Sequence, residues 1–183
     1  MNMEQRTVEL KSSWFGHLRG VEQADIRPQV SGTLIRQVYW DGSICDKGEL
    51  LFEIDPATYQ AAVDREAANL ATARAVKLQA EASLNRVQKD LDRYDKLIRT
   101  GAISVKNLTD AQQNLKEMQA ALEQAEAGIK QAEASLENAR INLDRTKVRA
   151  PFRGLASKAT ASVGELISAS GSPLTTMSSL API

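Results

Sequence analysis

The chain has 183 residues, enough for one ordinary domain or two small ones. Hydrophobic residues make up 43% but aromatics only 4%, so Ala, Leu, Val and Ile carry the apolar content, which favours long helices over a large aromatic-filled core. The 23 Lys and Arg balance the 23 Asp and Glu, which leaves no basic excess for nucleic acid. A lone cysteine, Cys45, and a lone histidine, His17, exclude an intramolecular disulfide framework and argue against a zinc site or a histidine-based triad.

Met1–Arg6 opens no apolar run, so neither a signal peptide nor a membrane span is expected in the chain as written. Trp14, Phe15 and His17 follow in an expected strand, where they read as packing residues. From there to Pro56, and again from Val148 onward, Val, Ile, Thr and most glycines recur in short alternating runs that predict strands and turns. Cys45 falls in such a run and reads as a free, partly buried thiol.

No proline interrupts the stretch between Pro56 and Pro151, and its Ala, Glu, Gln, Lys and Leu content predicts helix. Its apolar positions step alternately by 3 and 4. The second half runs Leu108, Ala111, Leu115, Met118, Leu122, Ala125, Ile129, Ala132, Leu136, Ala139, Leu143. The first runs Tyr59, Val63, Glu66, Leu70, Ala73, Lys77, Ala80, Leu84, Val87, Leu91, Tyr94, Ile98, broken only by Glu66 and Lys77. This is the repeat of a left-handed coiled coil. Between the halves, Gly101 suits a helix end and Ser104 suits an N-cap whose hydroxyl accepts an early backbone N–H. So short a link makes the two helices antiparallel. Each arm of about 40 residues extends about 60 Å.

The flanks contain an internal repeat split by the hairpin. Ile26-Arg27-Pro28-Gln29-Val30-Ser31-Gly32 parallels Val148-Arg149-Ala150-Pro151-Phe152-Arg153-Gly154, and ten residues separate Gly32 from Gly42 and Gly154 from Gly164 alike. Gly42 and Gly164 sit in turns, and Gly32 is read as a position where a positive φ would demand glycine. Two similar half-sheets on a quasi-two-fold axis make one small β-sandwich.

Split β-halves around a coiled-coil hairpin resemble the membrane fusion proteins, the periplasmic adaptors of tripartite efflux pumps, and most of all those of the resistance-nodulation-division (RND) type. The resemblance rests on Arg27-Pro28-Gln29-Val30-Ser31-Gly32, on Asp41-Gly42 with Lys47 to Tyr59, and on Ala139 to Pro151, and it spans roughly residues 20 to 180. It implies an α+β fold: an antiparallel coiled-coil α-hairpin inserted between two halves of a lipoyl/biotinyl-like β-sandwich, with a remnant of a β-barrel domain. The expected division is 1–24 for N-terminal strands of an incomplete barrel, 25–55 for the first half-sandwich, and 56–147 for the hairpin with its tip at 99–105. The second half-sandwich is expected at 148–178 and the start of the barrel at 179–183, where the chain stops, so it is expected to be a piece of a longer adaptor.

The resemblance also implies roles. Arg93, Leu97 and Ser104 fit the family's tip pattern and are the expected contacts with an outer-membrane channel of TolC type; Arg93 and Leu97 stand one turn apart, an exposed guanidinium beside an exposed apolar anchor. The other implied partners are an inner-membrane efflux transporter, met mainly through domains beyond this chain, and further copies in a homo-oligomeric ring or tube. The implied location is the periplasm, associated with the inner membrane in the complete protein. No catalytic residue, cofactor or metal ligand is expected. Gly32, Gly42, Gly101, Gly154 and Gly164 are assigned structural roles. Asp46-Lys47 is similar to the Asp-Lys of lipoyl carriers, but Lys47 does not crown a turn linking the halves, so no attachment is expected there. The alternatives are an adaptor of an ABC-type exporter or type I secretion system, a lipoyl/biotinyl carrier, and a passive coiled-coil spacer.

Overall fold

A computed structural model describes residues 12–13, 22–98 and 104–179. Trp14, Phe15, His17 and Gly101 lie outside the described residues, as do most of the expected barrel strand and tip. Strands β1 (Gln23–Ile26), β2 (Gly32–Gln37), β3 (Ile44–Cys45) and β4 (Leu50–Ile54) precede helices α1 (Ala57–Ile98) and α2 (Val105–Asp144). Strands β5 (Lys147–Arg149), β6 (Gly154–Ala156), β7 (Leu166–Ile167) and β8 (Thr175–Ser179) follow. The architecture is the expected one, a coiled-coil hairpin set into a β-sandwich.

The strands form two antiparallel sheets, ordered β1-β8-β6-β3 and β5-β4-β2-β7. They depart from the expected pair of half-sheets in one respect. Each flank contributes a central hairpin, β2–β4 or β6–β8, to one sheet and two short edge strands to the other. The edge strands are only two to four residues long and depend on the other flank's hairpin for their hydrogen bonds. The flanks therefore interleave, and neither folds without the other.

The repeat holds to single hydrogen bonds at an offset of 122 residues. Leu34 N–H donates to the Glu165 carbonyl (2.9 Å) and Ala156 N–H to the Ser43 carbonyl (2.9 Å). Gly42 N–H donates to the Ala156 carbonyl (2.9 Å) and Gly164 N–H to the Leu34 carbonyl (2.8 Å). One pair departs by a single residue: Arg27 Nη1 reaches the Gly171 carbonyl (3.1 Å), whereas Arg149 Nη1 reaches the carbonyl of Gly48 (3.0 Å), whose equivalent is Ser170.

Glycines at matching positions do matching work. Gly42 and Gly164 turn the chain at φ 78° and 91°. Gly32 does not have a positive φ, contrary to expectation. It lies in β2, where a Cβ would stand 2.7 Å from Ile54 Cγ2. Gly154 in β6 is tighter, because its Cβ would run into the Ser178 carbonyl oxygen. Both are close-approach glycines rather than turn glycines.

The core lies between the sheets. Leu34, Leu51, Phe52, Ile54, Ala156, Met177 and Cys45 are fully buried there, with Phe52 meeting Tyr39 edge-to-face at 5.3 Å. Cys45 is thus more deeply buried than expected, and burial pushes its thiol pKa up. Tyr39 and Thr175 both donate to the Ser157 carbonyl (3.0 and 2.9 Å). Among the described residues no buried side-chain polar atom lacks a partner.

Candidate docking site at the hairpin tip

The site is defined by what holds the hairpin at its base. Asp55 Oδ1 accepts the Ala57 N–H at 2.9 Å and Pro56 opens the first turn, a capped start for α1. The Asp55 N–H is itself fixed to the Thr33 carbonyl (2.9 Å), and Tyr59 Oη donates to the Ser31 carbonyl (2.7 Å). At the other arm, buried Thr146 donates its hydroxyl to the Leu143 carbonyl (2.7 Å), and its own carbonyl accepts the Ile54 N–H (2.9 Å). Both arms are therefore bonded directly to the central strands of one sheet. A lever of about 60 Å rises from this base, at 1.5 Å per residue over 42 and 40 residues.

The two seams meet as the sequence predicts. Every seam position from Tyr59 to Tyr94 and from Leu108 to Leu143 is buried or half-buried, with Leu70, Val87, Ala125 and Leu136 the most enclosed. The two charged interruptions belong to the seam and are compensated. Lys77 Nζ spans the arms to Glu126 (3.0 Å) and also meets Glu81 (3.4 Å). Glu66 is held by Arg65 (2.9 Å) and Asn69 (2.9 Å), hydrogen bonds that pull its carboxyl below the ordinary glutamate range. Arg74 adds a second bridge between the arms, to Glu133 (3.5 Å).

At the far end α1 finishes at Ile98 and α2 begins at Val105. Arg93 is exposed and paired along its own helix with Asp90 (3.6 Å). Leu97, one turn later on the same face, is half-buried rather than exposed. The cause is its place on the shoulder of the seam, beside positions 94 and 98. Ser104 is exposed at the N-cap of α2 with the expected extended conformation (φ −82°, ψ 154°), but its hydroxyl makes no cap bond. Its carbonyl accepts the Asn107 N–H instead (3.1 Å).

A groove not foreseen from the sequence runs between the arms just below the tip. It has a volume of about 310 Å³, with Asp90 and Tyr94 on one side and Asn107, Asp110 and Asn114 on the other. The 3–4 seam pattern carries no sign of it, because Asp90, Asn107, Asp110 and Asn114 lie beside the seam. No helix among the described residues is long and apolar enough to cross a membrane.

Fold and site together define an adaptor-type module: a β-sandwich base with a long, end-exposed hairpin. Residues 22–177 match the family model of the RND membrane fusion protein barrel-sandwich hybrid domain, and the chain belongs to that family. It is 40% identical over 94 residues to the multidrug efflux pump subunit AcrA of Escherichia coli K12, a match covering 49% of this chain and 22% of AcrA. It is 30% identical over 136 residues to the antibiotic efflux pump periplasmic linker protein ArpA of Pseudomonas putida, covering 60% of this chain and 36% of ArpA. The crystal structure of MacA from Actinobacillus actinomycetemcomitans superposes with a TM-score of 0.83 at 26% identity, covering 88% of this chain and 51% of MacA. The chain thus spans between about a fifth and about a third of the length of these two curated relatives.

Proposed function

We propose that this chain is the hairpin-bearing part of a periplasmic adaptor that joins an inner-membrane RND efflux transporter to an outer-membrane channel of TolC type. Its part is mechanical: it spans a gap and presents a docking end, without bond-making chemistry. The observation that carries the reading is the hairpin itself, two arms of 42 and 40 residues bonded at one end into the sandwich core and exposing Arg93 and Ser104 at the other. The relatives' names, an efflux pump subunit and a periplasmic linker, support it. Copies standing side by side would multiply weak contacts at many tips.

At the tip, Arg93 offers its guanidinium to carboxylates or carbonyls of the channel, and Leu97 supplies an apolar edge next to it. The test is photo-crosslinking from position 97 in the bacterial envelope, with products identified by mass spectrometry. Capture of an outer-membrane channel subunit is expected, and in a separate co-purification Leu97→Asp should abolish channel binding while the helical signal of the hairpin stays intact. Capture of other copies alone, with no channel, would overturn the tip assignment.

A further inference from the structure

The two sheets leave one side of the sandwich open. Strands β1 and β5 are edge strands, one in each sheet. Both border a cleft of about 810 Å³ at the foot of α2, where the helix contributes half-exposed Ile141. The two walls are equivalent in the internal repeat: Asp25, Ile26 and Arg27 stand 122 residues before Lys147, Val148 and Arg149. They differ in what they leave unpaired.

On the β1 wall the charges are spent. Asp25 pairs with Arg27 (3.6 Å) and accepts the Thr176 hydroxyl (3.3 Å), and Arg27 also donates to the Gly171 carbonyl (3.1 Å). On the β5 wall they are not. Lys147 and Arg149 are exposed on either side of buried Val148. The cross-strand neighbour of Lys147 is Glu53, but Arg36 already holds that carboxylate at 2.6 Å. Arg149 spends Nη1 on the Gly48 carbonyl (3.0 Å), which leaves the rest of its guanidinium open. Arg145 lines the same cleft with one long hydrogen bond, to Asn142 (3.5 Å). Carboxylates are also present on α2, namely Asp144 and Glu137, the latter 4.0 Å from Arg140. Five cations and three carboxylates line the whole cleft, so its net charge is positive.

The backbone of β5 is open on the same side. Thr146, just before the strand, gives its carbonyl to the Ile54 N–H (2.9 Å). Ala150, just after it, bonds to Glu49 and Gly48 (2.9 and 2.8 Å). Bonding to one neighbour alternates along an antiparallel strand, so the N–H and C=O groups of Lys147 and Arg149 face away from β4. Among the described residues no backbone group of another segment meets them.

We infer that the cleft takes an extended segment of a partner polypeptide, added as an antiparallel strand to the free edge of β5, with acidic residues opposite Lys147 and Arg149 and an apolar residue opposite Val148. The open N–H and C=O groups of β5 supply ladder hydrogen bonds that any sequence can satisfy. The side chains select. Carboxylates opposite Lys147 and Arg149 continue the alternation of charge that begins with Arg36 and Glu53, and an apolar residue opposite Val148 extends the core. A basic segment meets like charge and is rejected. The surface stands at the base of the hairpin, at the far end of the lever from Arg93, so its partner does not compete with docking at the tip.

The test titrates the purified chain with acetyl-Glu-Val-Glu-Val-Glu-amide, followed by NMR and amide hydrogen exchange. Saturable binding is expected, with new protection of the Lys147 and Arg149 amides and none at Gln23 or Asp25. Acetyl-Lys-Val-Lys-Val-Lys-amide should bind about tenfold more weakly or worse. So should the acidic peptide N-methylated at its glutamates, which keeps every side chain and removes the ladder donors. Lys147→Glu should weaken the acidic peptide by about fivefold and strengthen the basic one. Lys147 is exposed, so circular dichroism should show an unchanged fold, and the peptide comparisons on the parent chain decide the matter even if the variant misfolds. No saturable binding of the acidic peptide, equal binding of the basic or N-methylated one, or protection along β1 instead of β5 would overturn the inference. Protection of Lys147 and Arg149 that grows with the chain's own concentration, without peptide, would assign the edge to a second copy and overturn it as well. The adaptor reading is decided separately, by channel capture from position 97.

Discussion

The sandwich and the hairpin hold themselves together by different means. The sandwich closes one core in which Leu34, Leu51, Phe52, Ile54 and Met177 are shut off from solvent completely. Its strands are short, and its hydrogen bonds join residues more than a hundred positions apart, such as Leu34 to Glu165. The hairpin closes no such core. Its most enclosed side chains, Leu70, Val87, Ala125 and Leu136, all keep some exposure, and each layer touches only the layers above and below. Damage to the sandwich should therefore spread through the whole domain, whereas damage to the hairpin should stay near the damaged layer.

The largest effect is expected from Gly154→Val. Its side chain would be driven into the backbone of Ser178, which belongs to the adjoining strand and cannot swing aside as a rotamer can. A loss of at least about 3 kcal/mol is expected, above the usual range for overpacking because backbone must move. Urea unfolding followed at the sandwich and at the hairpin should shift together, since the hairpin base is bonded to β2 and β4, which share one core with β6 and β8. A shift confined to one of the two probes would break the comparison.

Leu122→Asp probes the other region. It places a carboxylate in a half-buried seam layer, and a cost of about 1–3 kcal/mol is expected. Hydrogen exchange should rise in the helical segments around residues 84 and 122 and stay unchanged in β2, β4 and β8. Loss of protection in those strands would show that hairpin and sandwich unfold as one unit.

The two regions were also unequally legible. The seam could be read residue by residue, because a period of 3.5 is a local property and Tyr59 through Leu143 obey it. The repeat of Gly32 and Gly42 in Gly154 and Gly164 announced two related flanks. It did not announce that their strands would interleave, because pairing between residues such as Ile44 and Leu155 is non-local and leaves no periodic trace. The reason for Gly32 was misread for the same cause: a close approach by Ile54 across a sheet has no signature in the neighbouring sequence. At the tip, spacing placed Arg93 and Leu97 on one face correctly. The burial of Leu97 and the idle hydroxyl of Ser104 depend on how the arms meet, which spacing alone does not determine. The apolar pairs Ile44-Cys45 and Leu166-Ile167 bury Cys45 and Ile167 and leave Ile44 and Leu166 exposed. In a two-residue strand one side chain of each pair must point outward.

The smallest effect sharpens the comparison at the seam's own weak point, Lys77. Ala73 and Ala80 stand on either side of it along α1, so bulk is low there and the bridge to Glu126 substitutes for it. The hydrogen bond and charge of Glu126, with a smaller contribution from Glu81, raise the Lys77 pKa above its ordinary 10.5. The charged ammonium is therefore favoured by the folded hairpin. Its contribution is complete below 10.5 and is lost as the pH climbs through the raised value. Glu66 behaves in the opposite sense: its contribution is present above the ordinary 4.5 and fades as the pH falls through its lowered value. Both groups are solvent-screened, so each effect should be modest and should shrink further in salt. Helical melting of the parent chain should fall as the pH climbs above about 10.5, and part of that fall should be absent in Lys77→Met. Methionine keeps the length of the side chain and removes the charge, and half-exposed Glu126 stays solvated without its partner. An identical alkaline fall in Lys77→Met would mean that the bridge contributes nothing and that the alanine layers alone hold the middle of the hairpin.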